Sequence, residues 1–143
     1  MVPASNVAAV MGGEVVLGTD VHSLSDLEAV VSRGLPKQAL RNVVHRLFPE
    51  SRQVNAVVYK VVPEATYKRR SRLTPAESER TERLARVIAA AEYVWDDQAD
   101  AREWLNRTHP ELAGKSPLQA AMTELGARQV EELLAKLFYG LPV

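Results

Sequence analysis

Apolar residues recur at helical spacing through most of the chain. In residues 37–48 the positions that share the i, i+3, i+4, i+7 spacing are Leu40, Val43, Val44, Leu47 and Phe48. The same spacing returns in residues 84–95 and again in residues 127–138. Such a stripe is typical of an amphipathic helix with one buried face. The pattern predicts an all-α protein with roughly seven or eight helices joined by short connections.

Three segments carry the residues that begin helices. Residues 74–77 (TPAE) combine a threonine N-cap, proline at the first helical position and glutamate at the third. Ser25 with Glu28, and Ser116 with Gln119, have the same capping-box spacing. We expect a helix to begin at each of these three places.

Residues 54–62 (VNAVVYKVV) allow two interpretations. Their β-branched content favours a strand. Alternation from Val54, however, would place Lys60 on the buried face, whereas Val54, Val57, Val58 and Val61 share one face of a helix. We therefore predict a helix here.

The first 22 residues lack a helical period. They mix small residues with Gly12-Gly13 and a short apolar run over residues 14–17. The segment is predicted to be a flexible, loosely ordered N-terminal tail.

Size and composition narrow the class of protein. The chain has 143 residues, which suits one domain or two small ones, and its 46% hydrophobic and 25% charged residues are ordinary for a soluble globular protein. It has no cysteine, so disulfides and thiolate chemistry are excluded. Neither a leader pattern nor an apolar stretch approaching ~18 residues is visible, and a cytoplasmic protein without a membrane partner is expected.

The formal net charge of zero hides a strong asymmetry along the chain. Residues 33–86 hold 13 Lys and Arg against 5 Asp and Glu, a net charge of +8. Residues 1–32 and residues 87–143 each carry a net charge of −4. A basic middle between acidic ends indicates a nucleic-acid surface on one part of the chain and a different task for the rest.

The basic middle contains a candidate helix-turn-helix. A helix over roughly residues 52–61 meets a break at Val62-Pro63, and a second, very basic helix follows. This second helix is placed as a recognition helix, which contacts phosphates and base edges in the major groove. A solvated basic connector is the competing interpretation. The candidate DNA-binding residues are Thr66, Tyr67, Lys68, Arg69, Arg70 and Arg72.

The chain offers little support for catalysis. Its three histidines lie far apart, without the spacing of a metal site, and no glycine-rich phosphate loop is present. Asp96, Asp97 and Asp100 resemble a metal-binding cluster, but the N-cap and first turn of a helix explain them better. We expect a non-enzymatic protein with no metal and no cofactor.

The apolar residues near the C-terminal end cover a wider arc than packing against one partner helix needs. Apolar residues in 133–139 cover a broad arc of the last helix, and the chain ends on the apolar sequence GLPV. An apolar tail of this kind suits insertion into a partner's pocket, or it folds back on its own core.

Two stretches, residues 71–95 and 102–140, resemble the antitoxins of RES–Xre toxin–antitoxin modules, the Xre/MbcA/ParS group. Residues 73–80 (LTPAESER) match that family's L(S/T)P-x-E-S-x-R start of a long helix. Trp104-Leu105, L-x-G-x-x-P-L at 112–118, T-E-x-G-A-x-x-V-E-x-L-L at 123–134 and Tyr139-Gly140 then follow in the family's order. Residues 62–72 resemble the family's recognition-helix region more loosely, with Tyr67 where leucine is usual.

The resemblance implies a division of labour. An Xre-like helix-turn-helix domain over residues 23–73 would form a homodimer and bind DNA of its own operon as a repressor. A toxin-binding domain over residues 74–143 would bind a RES-domain toxin, an enzyme that degrades NAD, and block its active site with the C-terminal end. The implied toxin-binding residues are Leu137, Phe138, Tyr139, Gly140, Leu141, Pro142 and Val143.

Two other functions stay open. The chain would act as a stand-alone helix-turn-helix regulator if its C-terminal domain only formed oligomers. It would act as a partner-binding adaptor if that domain worked outside a toxin module. Oligomer formation alone does not require Gly114, Pro117, Gly126 and Tyr139-Gly140 together, whereas the family resemblance accounts for all of them.

Overall fold

The regular structure of the protein is helical. A computed structural model describes residues 2–141, and within this range it contains no strand, only two isolated bridges, Pro36 with Arg72 and His109 with Lys115. Residues 2–141 form ten α-helices, more than the sequence predicted, together with a 3₁₀ turn at Pro110–Leu112. The helices are α1 (Ala4–Val10), α2 (Gly13–Leu17), α3 (Leu24–Ser32), α4 (Lys37–Leu47), α5 (Ser51–Val61), α6 (Glu64–Arg69), α7 (Pro75–Trp95), α8 (Gln98–Asn106), α9 (Pro117–Ala120) and α10 (Glu124–Phe138).

The fold is organised around α7, which contacts α1, α3, α4, α8 and α10. Its start is the predicted capping box: the Thr74 hydroxyl accepts from the Glu77 N–H at 3.1 Å, and the Glu77 carboxylate accepts from the Thr74 N–H at 2.9 Å. Ala85 and the run 89–91 are buried alanines, and such small side chains let several helices approach one axis closely.

The N-terminal segment is a correction to the sequence analysis. The predicted tail over residues 1–22 instead forms α1 and α2, and the side chains of Val7, Val10 and Met11 are buried in the common core. The Asn42 side chain on α4 donates to the Met11 carbonyl at 3.1 Å and satisfies an acceptor at the end of α1. These residues therefore belong to the folded unit.

The structure confirms the predicted helix over residues 54–62 but begins α3 earlier than predicted. The segment 54–62 is helical as predicted, because Val54, Val57, Val58 and Val61 share the buried face of α5. The start of α3 was placed too late: Ser23 is the N-cap, and its hydroxyl accepts from the Asp26 N–H at 3.1 Å.

An ionic cluster joins α7 to α10. The Arg86 guanidinium lies 3.1 Å from Glu82, 3.0 Å from Glu131 and 3.6 Å from Glu124. Arg83 adds a contact to Glu124 at 3.1 Å. Burial raises the pKa of the Glu82 carboxyl above its ordinary value, although the Arg86 charge opposes this. The cluster fixes the position of α10 against the central helix.

No helix within residues 2–141 has both the length and the apolarity needed to cross a bilayer.

Candidate functional site

The basic segment forms the predicted pair of short helices. α5 ends at Val61, and the extended residues Val62 and Pro63 lead directly into α6. Pro63 cannot continue the preceding helix but is compatible with the start of the next one. This helix, break and helix is the arrangement of a helix-turn-helix, with α6 in the place of the recognition helix.

The six candidate DNA-binding residues have unequal access to solvent. Lys68 and Arg69 are exposed on α6, and Thr66 is half-buried. Lys68 pairs with Glu64 at 3.3 Å, but both side chains are exposed, so the pair is weak. The structure thus leaves the cations of Lys68 and Arg69 accessible to a polyanion.

Tyr67 is buried and attaches α6 to α4. Its hydroxyl donates to the Lys37 carbonyl at 3.3 Å and accepts from Arg41 Nε at 3.4 Å. Its ring packs edge-on against Tyr59 with centroids 5.9 Å apart, and Lys37 Nζ donates to the Tyr67 carbonyl at 3.1 Å. The ring is therefore inside the domain, where it positions α6 against α4. The role of Lys37 and Arg41 was not visible in the sequence, because both lie on a helix outside the predicted motif.

Arg70 and Arg72 make contacts within the protein. Arg70 lies 2.7 Å from the Glu77 carboxylate, and Arg72 donates to the Gly34 carbonyl at 2.9 Å. Burial alone would raise the pKa of Glu77, but the hydrogen bond from the Thr74 backbone and the Arg70 charge outweigh it and lower the pKa. This stabilisation is present above the ordinary pKa of glutamate and is lost as pH falls through the lowered one. Arg70 thus ties the end of α6 to the start of α7.

The C-terminal end of α10 carries a group of exposed aromatic side chains. Phe138 lies 5.3 Å from Tyr93 of α7 and 5.0 Å from Tyr139, measured between ring centroids. Tyr139 is 66% exposed, and Leu137 and Leu141 are also accessible. We name Tyr93, Leu137, Phe138, Tyr139 and Leu141 the aromatic patch. Sequence reasoning missed Tyr93, whose only signal is its place beside the buried stripe of α7.

The chain turns sharply where α10 ends. Gly140 adopts φ 67°, its N–H donates to the Leu137 carbonyl at 3.3 Å, and the Leu141 N–H donates to the Lys136 carbonyl at 2.8 Å. This pair of bonds is a Schellman motif, in which glycine adopts the left-handed conformation at little cost. The turn fixes the direction in which the chain leaves the helix. Pro142 and Val143, the last two predicted toxin-binding residues, lie outside the described residues.

Among the acidic residues after α7, Asp97 caps the N-terminus of α8. The Asp97 carboxylate accepts from the Asp100 N–H at 2.9 Å and caps α8. In the described part of the chain, no group of three or more histidine or acidic side chains has the geometry of a metal site.

Comparison with known proteins matches both halves of the chain. Residues 26–86 match the antitoxin Xre-like helix-turn-helix domain, and residues 90–140 match the antitoxin Xre/MbcA/ParS C-terminal toxin-binding domain. The two ranges meet inside α7, whereas the sequence analysis proposed a division after residue 73.

Two curated relatives are each named "Antitoxin Xre". The one from Pseudomonas putida is 37% identical over 68 residues, which are 48% of this chain and 43% of the relative. The one from Yersinia enterocolitica is 37% identical over 71 residues, which are 49% of this chain and 48% of the relative. The chain thus spans about half the length of the curated relatives it matches. With an Xre-like helix-turn-helix followed by a toxin-binding domain, the chain belongs to the Xre-type antitoxin family.

Proposed function

We propose that this chain neutralises a RES-domain toxin that degrades NAD, and that its C-terminal end blocks the toxin's active site. The observation that carries the proposal is the aromatic patch on the toxin-binding domain. Its members at the end of α10 stay exposed, as does Tyr93 beside them on α7, whereas Leu134 and Val130, about one and two turns before Phe138, are buried in the core. Exposed aromatic clusters of this kind are typical of the centre of a protein interface.

The proposed inhibition works by occupancy. The tail leaves α10 in a direction that the Gly140 turn already fixes, and α10 itself is held against α7 by the Arg86 ion pairs. The part of this end up to Leu141 is therefore already held in place and loses little conformational entropy when it enters a cleft. The chain acts as a binding protein in this proposal and performs no chemistry of its own.

The experiment that tests this proposal is co-expression with the protein encoded by the neighbouring reading frame. The 143-residue chain is expected to restore growth and cellular NAD, whereas a chain that ends at Tyr139 is expected to restore neither. Tyr139→Ala is expected to weaken toxin binding about 30-fold, because it removes about 2 kcal/mol of buried aromatic contact. Leu125→Ala is the matched control, since Leu125 is an exposed apolar residue at the other end of α10.

Three outcomes would change the proposal in different ways. Rescue by both chains would keep the antitoxin and remove the blocking role of the tail. Equal loss in Tyr139→Ala and Leu125→Ala would move the interface away from the aromatic patch. A neighbouring protein without toxicity would leave a stand-alone regulator, with DNA binding as its function.

The DNA-binding half of the proposal assigns α6 to the major groove of an operator in the protein's own operon. Lys68 and Arg69 would contact phosphates or base edges, and the net charge of +8 over residues 33–86 would draw the domain to DNA. Because helix-turn-helix operators present two half-sites, the proposed binding form is a homodimer that represses transcription.

Tyr67→Phe is expected to weaken operator binding about three- to fivefold. The change removes two hydrogen bonds to α4, worth about 1 kcal/mol together, and lets α6 shift without loss of a phosphate contact. The slope of log K against log salt should therefore stay at its wild-type value. The measurement is a fluorescence-anisotropy titration at several salt concentrations.

Arg69→Ala provides the contrast for this measurement. Loss of a phosphate contact is expected to reduce the salt slope by about 1, which a positioning residue does not do. If Tyr67→Phe also reduced the slope, Tyr67 would contact DNA directly and its positioning role would be wrong.

A further inference from the structure

Two grooves of opposite charge lie next to each other on the surface. The first, of about 450 Å³, has an apolar floor that includes Val7, Leu27 and Val31 from α1 and α3. Four glutamates and two arginines line it as well, a net charge of −2. Both arginines are already paired with glutamates of the ionic cluster, whereas Glu28 and Glu79 are exposed and form no ion pair with any residue the structure describes. We name this the acidic groove.

The second groove, of about 670 Å³, has the opposite character. Its apolar floor includes Phe48, Val61 and Leu118, and its two charged lining residues are Lys60 and Arg80. Within residues 2–141 neither cation has an acidic partner. We name this the basic groove.

The two grooves share a wall. Glu79 and Arg80 are consecutive residues of α7, and the first lines the acidic groove while the second lines the basic one. Arg83 of the acidic groove donates to the carbonyl of Met122, which lines the basic groove, at 3.4 Å. A two-fold axis through this wall would bring the acidic groove of one molecule against the basic groove of another, and the reverse, in one interface.

We propose that a second copy of this chain occupies both grooves through such a two-fold contact. Lys60 and Arg80 of each copy reach Glu28 and Glu79 of the other. Leu24 projects from the rim of the acidic groove with 76% of its side chain exposed, and it enters the apolar floor of the facing basic groove. Complementary charge and an apolar contact are thus combined in one self-complementary surface. The inference rests on the homodimer proposed above and names its surface.

The N-terminal segment acquires a role in this arrangement. Val2, Ala4 and Val7 form part of the acidic groove, although they lie before the residues matched by the helix-turn-helix family model. α1 thus completes a wall of the dimer contact in addition to filling the core.

Charge reversal tests the contact without touching the core. Glu28→Lys alone and Lys60→Glu alone place like charges opposite each other at both symmetric contacts, so each variant is expected to have a dimer dissociation constant at least tenfold above wild type. An equimolar mixture of the two variants has opposite charges at both contacts and is expected to form a heterodimer of near wild-type affinity. The double variant is expected to regain its homodimer. Sedimentation velocity over a range of micromolar concentrations measures each species, and circular dichroism confirms that each variant is folded.

Glu14→Lys is the matched control, because Glu14 is exposed on α2 and lines neither groove. A wild-type chain that stays monomeric at these concentrations would overturn both the surface and the homodimer. A dimer that both single reversals leave intact would overturn the surface alone. Single variants that weaken the dimer but fail to complement each other would overturn the pairing of acidic with basic groove.

Discussion

A chain that begins at Ser23 is expected to lose its cooperative fold. The deletion removes seven buried apolar side chains and uncovers the faces of α4 and α7 against which they pack. At about 1–2 kcal/mol for each, their burial amounts to on the order of 10 kcal/mol, which is comparable with the whole stability of a small domain. The seven residues are Ala4, Val7, Ala8, Val10, Met11, Leu17 and Val21. Urea unfolding followed by circular dichroism measures the loss.

Two point variants in this segment test whether its contribution to stability comes from the buried side chains. Met11→Ala, at a fully buried site, is expected to lower the free energy of unfolding by about 2–5 kcal/mol. Val15→Ala, at a site that is 97% exposed, is expected to change it by less than about 0.5 kcal/mol. A truncated chain with the wild-type urea midpoint and slope would mean that residues 1–22 are dispensable for folding.

Alanine at position 126 is expected to lower the free energy of unfolding by about 3 kcal/mol. Gly126 lies in the first turn of α10, where an added Cβ would come 1.8 Å from the Ala120 carbonyl oxygen and 2.9 Å from the Thr123 hydroxyl. Both are fixed atoms: the carbonyl ends α9, and the hydroxyl accepts from the Gly126 N–H at 3.0 Å. The turn between α9 and α10 must open to admit the methyl group. Thermal and urea unfolding measure the effect.

The control for this variant is Gln129→Ala in the same helix. Gln129 is exposed, and alanine there is expected to be neutral or slightly stabilising because of its helix propensity. Since opening of the turn would move α10, Gly126→Ala is also expected to weaken toxin binding, whereas Gln129→Ala is not. Equal stability of the two variants would show that the close approach of Ala120 imposes no constraint.

The helix starts were predictable because a cap is a local interaction. Thr74 with Glu77, and Ser116 with Gln119, each form both hydrogen bonds of the capping box within four residues. The error at α3 has a local cause as well. The Ser23 hydroxyl accepts from the Asp26 N–H at 3.1 Å, and the Asp26 carboxylate accepts from the His22 N–H at 2.9 Å, so the capping bonds form two residues earlier than Ser25.

The N-terminal helices were missed because their stability is not local. α1 has only seven residues, too few for a periodic stripe, and an isolated helix of that length is unstable in water. Its buried side chains pack against α7, which begins more than sixty residues later in the chain. A sequence pattern read in short windows cannot contain that contact.

The sequence located both candidate surfaces but not the division of roles within them. It identified the basic helix α6, yet the burial of Tyr67 depends on α4, and the pairing of Arg70 depends on Glu77 at the next helix start. It identified the C-terminal aromatic residues, yet Tyr93 joins them only because α7 and α10 pack side by side. In each case the packing of a neighbouring helix determines whether the side chain is buried, paired or part of the exposed surface.

The continuity of α7 sets a rule for exchanging parts between members of this family. Because the two matched ranges meet within its 21 residues, the halves are joined by helical backbone and not by a flexible linker. One inserted residue would rotate everything after it by about 100° and advance it by about 1.5 Å. A chimaera that combines one antitoxin's operator preference with another's toxin preference must therefore be spliced in the same helical phase. A junction out of phase would face the transplanted half in a new direction even if both halves folded correctly.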